Sequence, residues 1–128
     1  MHKSKLAGFI IDCQTPDLKG SAEFWGAALG MITETFPGEA GEKYIKLQSP
    51  ETQLNIEVQT VTHPSRIHLD IETDDIEAEV SRLQRLGAKE IERIKTWVIM
   101  EAPTGHRFCV VQAEPGNTFD DTANHWQE

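Results

Sequence analysis

Two short stretches carry most of the chemically capable side chains. Over Arg66–Glu72, Arg66, His68, Asp70 and Glu72 alternate with Ile67, Leu69 and Ile71, and over Gln53–Val61, Asn55, Glu57 and Gln59 alternate with Leu54, Ile56 and Val58. An extended chain turns successive side chains to opposite faces, so each polar set shares one environment. An imidazole beside carboxylates is the equipment of general acid–base catalysis. Arg66 suits a ligand carboxylate or phosphate, or else pairs locally with Asp70 or Glu72. Asp12, at the end of an earlier apolar run, is either a further ligand-facing acid or a turn residue bonding backbone amides. Two readings of the polar surface stand side by side: a wet sheet face, common in antiparallel sheets, or a partly enclosed face whose groups converge on a ligand.

The elements that position these residues are legible from periodicity. Leu6–Cys13 reads as a strand, and Thr15-Pro16-Asp17 as a helix start with Thr15 as the cap. Leu18, Ala22, Trp25 and Leu29 stack on one helical face, and Gly30 is placed to end the helix. Strands follow near Met31–Phe36, Lys43–Gln48 and Gln53–Val61. The second half replays the first: a strand over Arg66–Glu72, a helix opened by Asp74 with Glu77 at capping-box spacing, a buried stripe of Ile76, Val80 and Leu83, and a stop at Leu86-Gly87. Strands near Glu90–Ile94, Thr96–Glu101 and Arg107–Gln112 complete it. Leu29-Gly30 and Leu86-Gly87 lie 57 positions apart, as do Asp17 and Asp74. One supersecondary module has been duplicated, and the apolar strand faces are expected to pack against the two helices.

At 128 residues the chain fits one domain, with module one at about 6–61, module two at about 65–112 and a tail over 113–128. A formal charge of −9, spread along the chain, argues against nucleic acid and anionic membranes as partners. The basic start and the apolar run to Ile11 are too short for a signal peptide, and no stretch approaches the roughly 20 apolar residues of a membrane span. Cys13 and Cys109 lack metal-type spacing and fall on opposite strand faces, so the expectation is a reduced, cytoplasmic protein without a disulfide. In the tail, Pro115-Gly116-Asn117 favours mobility, whereas Trp126 favours an anchor.

Arg66-Ile67-His68-Leu69-Asp70, the helix ending in Leu86-Gly87-Ala88, and the closing run from Ala102-Pro103-Thr104-Gly105 to Val111 together resemble the vicinal oxygen chelate superfamily, in its glyoxalase-like and bleomycin-resistance branch. Phe24-Trp25 followed by Leu29-Gly30-Met31 agrees. The resemblance implies an α+β fold of two βαβββ modules, forming a curved mixed sheet with helices on the convex side, and a homodimer. It also implies metal-ligand positions at Ile10, Glu57, His68 and Cys109. Ile10 cannot coordinate, and Cys109 stands where a glutamate is usual. The remaining trio of Glu57, His68 and Cys109 suits zinc among divalent metals; Cys109 is otherwise a small buried filler.

Three functions follow. The first is a small-molecule binding protein without a cofactor, its ligand held by Asp12, Asn55, Gln59, Arg66, Asp70 and Cys109. The second is a lyase or isomerase, metal-dependent or metal-free, in which Glu57 removes a proton beside a carbonyl while His68 or a bound divalent metal stabilises the enolate. The third is a domain acting by association alone. The first is preferred.

Overall fold

The computed structural model describes residues 1–48, 54–114 and 118–127. Gln53, expected to open a strand, and Pro115-Gly116-Asn117 lie outside the described residues. The fold is α+β, with nine strands and four helices among the described residues. Contacts divide the chain into two compact units, Gly8–His68 and Met1–Ala7 with Leu69–Glu128. The first strand, β1 (His2–Cys13), contributes residues 2–7 to one and 8–13 to the other.

In Gly8–His68, the helix α1 (Leu18–Leu29) follows β1, and then come β2 (Thr33–Thr35), a short α2 (Ala40–Lys43), β3 (Tyr44–Leu47) and β4 (Asn55–Thr60). The strands lie in the order β2-β3-β4-β1, with β1 and β4 parallel. Ile11, Ile45, Leu47, Ile56 and Val58 form the core under Ala22 of α1, which is the expected separation of apolar and polar strand faces.

The start of α1 differs from expectation. Asp17, not Thr15, is the cap: its Oδ1 accepts from the Gly20 N–H at 2.9 Å, while Thr15 Oγ1 accepts from the Asp17 N–H. A carboxylate reaches the third residue of the helix better than a hydroxyl two residues earlier. The buried face also turns toward Ala22 and Gly26, leaving Leu29 exposed. Gly26 allows this, because a Cβ there would stand 2.9 Å from the Met31 carbonyl oxygen. Gly30 adopts a left-handed φ of 68° and ends the helix as expected.

The other unit takes up β5 (Arg66–Thr73) from Leu69 onward. It adds α3 (Ile76–Arg85), β6 (Lys89–Ile94), β7 (Trp97–Glu101), β8 (Arg107–Gln112), α4 (Phe119–Thr122) and β9 (Asn124–Trp126). Strand order is β5-β8-β7-β6, with β5 and β8 parallel. Val80 and Leu83 of α3 pack on Val98, Met100 and Val110. Asp75, rather than Asp74, caps α3 by accepting from the Ala78 N–H at 3.0 Å; Asp74 instead accepts from the Lys3 N–H at 2.8 Å.

One expectation for β5 fails in part. Ile71 joins the core, but Ile67 and Leu69 are 59% and 51% exposed. The helix of this unit lies over β6, β7 and β8, and its ten residues span only about 15 Å, so it covers the far end of β5 and not the near end.

The tail is anchored. The three residues of β9 pair antiparallel with His2–Ser4, and Trp126 Nε1 donates to Ser4 Oγ at 2.9 Å. The Arg82 guanidinium stacks 3.9 Å from the Trp126 ring centroid and forks onto Glu79 at 2.8 and 2.9 Å. Glu79 is fully buried and also bonds His2 Nε2 at 2.7 Å. A salt-bridged carboxylate on the inner face of α3 is what holds the two chain ends together.

Candidate functional site

In Gly8–His68, parallel register sets Gly8, Ile10 and Asp12 beside Asn55, Glu57 and Gln59, and antiparallel pairing adds Lys46 opposite Glu57 and Tyr44 opposite Gln59. These residues share the sheet face turned away from α1. The Asn55 amide donates to Glu57 Oε2, and Gln59 Nε2 donates to Tyr44 Oη at 3.0 Å.

Asp12 is the hub. It is 2% exposed, and its Oδ2 accepts from His68 Nδ1 at 2.7 Å. Arg66 Nε stands 3.6 Å from the same oxygen. The Asp12 carboxylate at Nδ1 fixes the orientation of the imidazole ring. The other oxygen, Oδ1, is buried without a hydrogen-bond partner. Asp12 and Arg66 line a hollow of about 280 Å³, together with Ile11, Cys13, Trp25, Ser65 and Ile67. Two positively polarised groups on one carboxylate oxygen, beside an apolar recess, form a site able to hold a small polar molecule with an apolar body.

In the other unit, Asp70 on β5 is the registered partner of Cys109 on β8, and Glu72 follows on the same face beside Val111. Burial pushes the Glu72 carboxyl above the usual carboxylate range, with Lys5 opposing and Glu114 adding to the shift. A carboxyl whose folded value is raised holds its proton more tightly when folded, so stability falls as pH rises above the ordinary 4.5 and the loss is complete above the folded value. Glu72→Gln is therefore expected to melt higher than the parent at pH 7, with the gap closing by about pH 4; thermal melts at the two pH values check this.

The ligand positions implied by the family resemblance do not form a four-ligand metal site. Ile10 is 3% exposed and in register with Glu57, so an alkyl group fills the place where a donor is needed. His68 and Asp70 are alternate residues of β5, and Cys109 is the registered partner of Asp70.

Of the sequence-predicted residues, the structure joins Asp12, Arg66 and His68, links Asn55 to Glu57, aligns Gln59 beside Asp12, and pairs Asp70 with Cys109. Sequence reasoning gave Trp25 to the core and passed over Ser65, yet both line the hollow. For Trp25 the signal was its size beside an exposed Phe24; Ser65 carried none.

The chain was compared with known proteins. Residues 8–111 match the family model described as "Glyoxalase-like domain". No curated protein matches the sequence. Among solved structures, the hypothetical protein BH1468 from Bacillus halodurans C-125 is similar at 14% identity and a TM-score of 0.66, covering 89% of this chain and 97% of that one. Methylmalonyl-CoA epimerase from Mycobacterium tuberculosis is similar at 17% identity and a TM-score of 0.64, covering 86% and 88%. Homoprotocatechuate 2,3-dioxygenase from Brevibacterium fuscum is similar at 18% identity and a TM-score of 0.59, covering 86% of this chain and 36% of that one. At these identities the likeness is one of fold, and it agrees with the family match. The chain belongs to the glyoxalase-like domain family.

Proposed function

We propose that this protein binds a small organic molecule at the Asp12 cluster. Arg66 and His68 supply the polar contacts, and the apolar recess takes the ligand body. The observation that carries this reading is the pairing of His68 and Arg66 on one buried oxygen of Asp12 beside the hollow. A ligand that binds only the folded chain raises its melting temperature by mass action. A thermal-shift panel of small organic acids, amines and amino acids is expected to give at least one saturable rise that Arg66→Gln abolishes. No shift anywhere in the panel, or shifts untouched by Arg66→Gln, would count against the site.

A second reading, a lyase or isomerase, is favoured by the Asp12–His68 hydrogen bond. There a proton leaves the carbon beside a carbonyl. Glu57 takes that proton, and His68, oriented through Nδ1 by Asp12, stabilises the enolate. His68→Gln would then abolish turnover. A divalent metal such as zinc belongs to the same reading and would appear as bound metal in protein purified without chelator. A homodimer is supported by exposed Phe24 and Ile32 and is read by sedimentation.

A further inference from the structure

We propose that the hollow takes a neutral aromatic ring carrying one hydrogen-bond acceptor; this rests on the reading above that the recess holds the ligand body, and names the chemistry of that body. Strand alternation sorts the lining into two sides. Asp12 and Arg66 approach to 3.6 Å on the face that also bears His68. Ile11 and Cys13 of β1 and Ile67 of β5 stand at the intervening positions and face the other way. On that side Ile11 belongs to the core under α1, and Cys13 and Trp25 pack against it. The wall made by Ile11, Cys13, Trp25 and Ile67 therefore holds no charged side chain, and Ser65 closes its edge. A charged group placed among these residues would give up its hydration without a counter-ion, so the hollow selects a neutral guest.

Trp25 makes the wall aromatic. Its ring meets that of exposed Phe24 edge to face, with centroids 5.1 Å apart and planes at 85°. Contact between aromatic rings adds to the gain from burial alone, which favours an aromatic guest over a saturated ring of the same size by about two- to tenfold. The volume, about 280 Å³, lies at the foot of the roughly 300–1,000 Å³ range of ligand pockets. That suits one ring with a short substituent.

Ser65 gives the guest a direction. Its Oγ accepts from the Gln14 N–H at 3.0 Å. Among the described residues no acceptor takes its own O–H hydrogen. A hydroxyl can donate as well as accept, so a carbonyl or ether oxygen on the ring is the complement.

The test measures protection of the full chain against iodoacetamide, mapped by peptide mass spectrometry. Cys13 lines the hollow, and Cys109, the second free thiol, does not and serves as the control. The probes are acetophenone, cyclohexyl methyl ketone and benzoate: the proposed guest, its saturated counterpart and a charged one. Acetophenone is expected to protect Cys13 and not Cys109. Half-protection should need at least threefold less acetophenone than cyclohexyl methyl ketone and at least tenfold less than benzoate. Ile67→Ala and Ser65→Ala, both at exposed positions that keep the fold, should each raise that concentration at least threefold. Equal protection by the two ketones would overturn the aromatic preference, and equal protection by benzoate would overturn the neutral guest. Protection of both thiols alike, or protection untouched by Ile67→Ala, would overturn the hollow as the place of binding. No protection by any of the three, alongside a thermal shift that Arg66→Gln abolishes, would overturn the aromatic class and leave the small-molecule reading standing.

Discussion

Glu79→Ala is expected to destabilise the fold by about 3–5 kcal/mol, the usual result of removing one partner from a buried ion pair. Arg82 and His2 would be left facing an empty place, with side-chain exposures of 14% and 0%. In a chain of this size that loss corresponds to a fall in melting temperature on the order of 10–20 °C. Trp126 would lose the guanidinium that orders its ring, so its fluorescence should shift toward that of a wetted indole before global melting. Denaturant titration followed by tryptophan emission measures both effects.

The pH dependence has a definite sign. Burial alone would raise the Glu79 carboxyl, but hydrogen bonds from Arg82, His2 and Ser4 outweigh it and hold the group below the usual carboxylate range. A depressed carboxyl contributes stability that is fully present above its unfolded value of 4.5 and is lost as pH falls through the folded value. The difference between parent and Glu79→Gln should therefore be constant above about pH 5 and shrink in acid. A difference that grew in acid would contradict the pairing.

Gly8→Val is expected to cost about 3 kcal/mol or more, at the upper end of overpacking penalties. A Cβ at Gly8 would fall inside the contact distance of the Asn55 carbonyl oxygen, which belongs to the partner strand's backbone. Backbone cannot rotate aside as a side chain can, so β1 and β4 must part. That same pair aligns Ile10 with Glu57 and Asp12 with Gln59, so a folded Gly8→Val protein should also lose ligand-induced stabilisation. Gly8→Ala, with two carbons fewer, should show a smaller change in both. Chemical denaturation and the thermal-shift panel read the two effects on one sample.

Much of this was legible in the sequence because it rests on period and punctuation. Alternation at Ile56, Val58 and Ile71 identified core faces, and Gly30 and Gly87 marked helix ends. Asp12, Arg66 and His68 were all named as candidates, but alternation gives a face and not a distance. That His68 and Arg66 meet one oxygen of Asp12 depends on the tertiary path of β1 and β5. The caps were displaced because Thr15 and Asp17, and likewise Asp74 and Asp75, offer rival acceptors within one turn, and backbone geometry chooses between them. Glu79 was hidden for a different reason. An acid in an amphipathic helix reads as solvated, and its burial is set by His2 and Trp126, which no local window contains. Ile67 and Leu69 were assigned to the core by pattern, but a pattern cannot say how far a covering helix extends.

The closure of the chain ends has a kinetic meaning. Ser4 meets Trp126 across a separation of 122 residues, so β1 cannot find this partner until all the residues between them have been synthesised. At roughly 5–20 residues per second, translation would keep it waiting for about 6–25 seconds. During that wait an unclosed strand edge is available to chaperones or to neighbouring nascent chains. Maturation of this protein is therefore timed by synthesis of the segment that holds Trp126, and versions cut before it would remain in the state that the growing chain passes through.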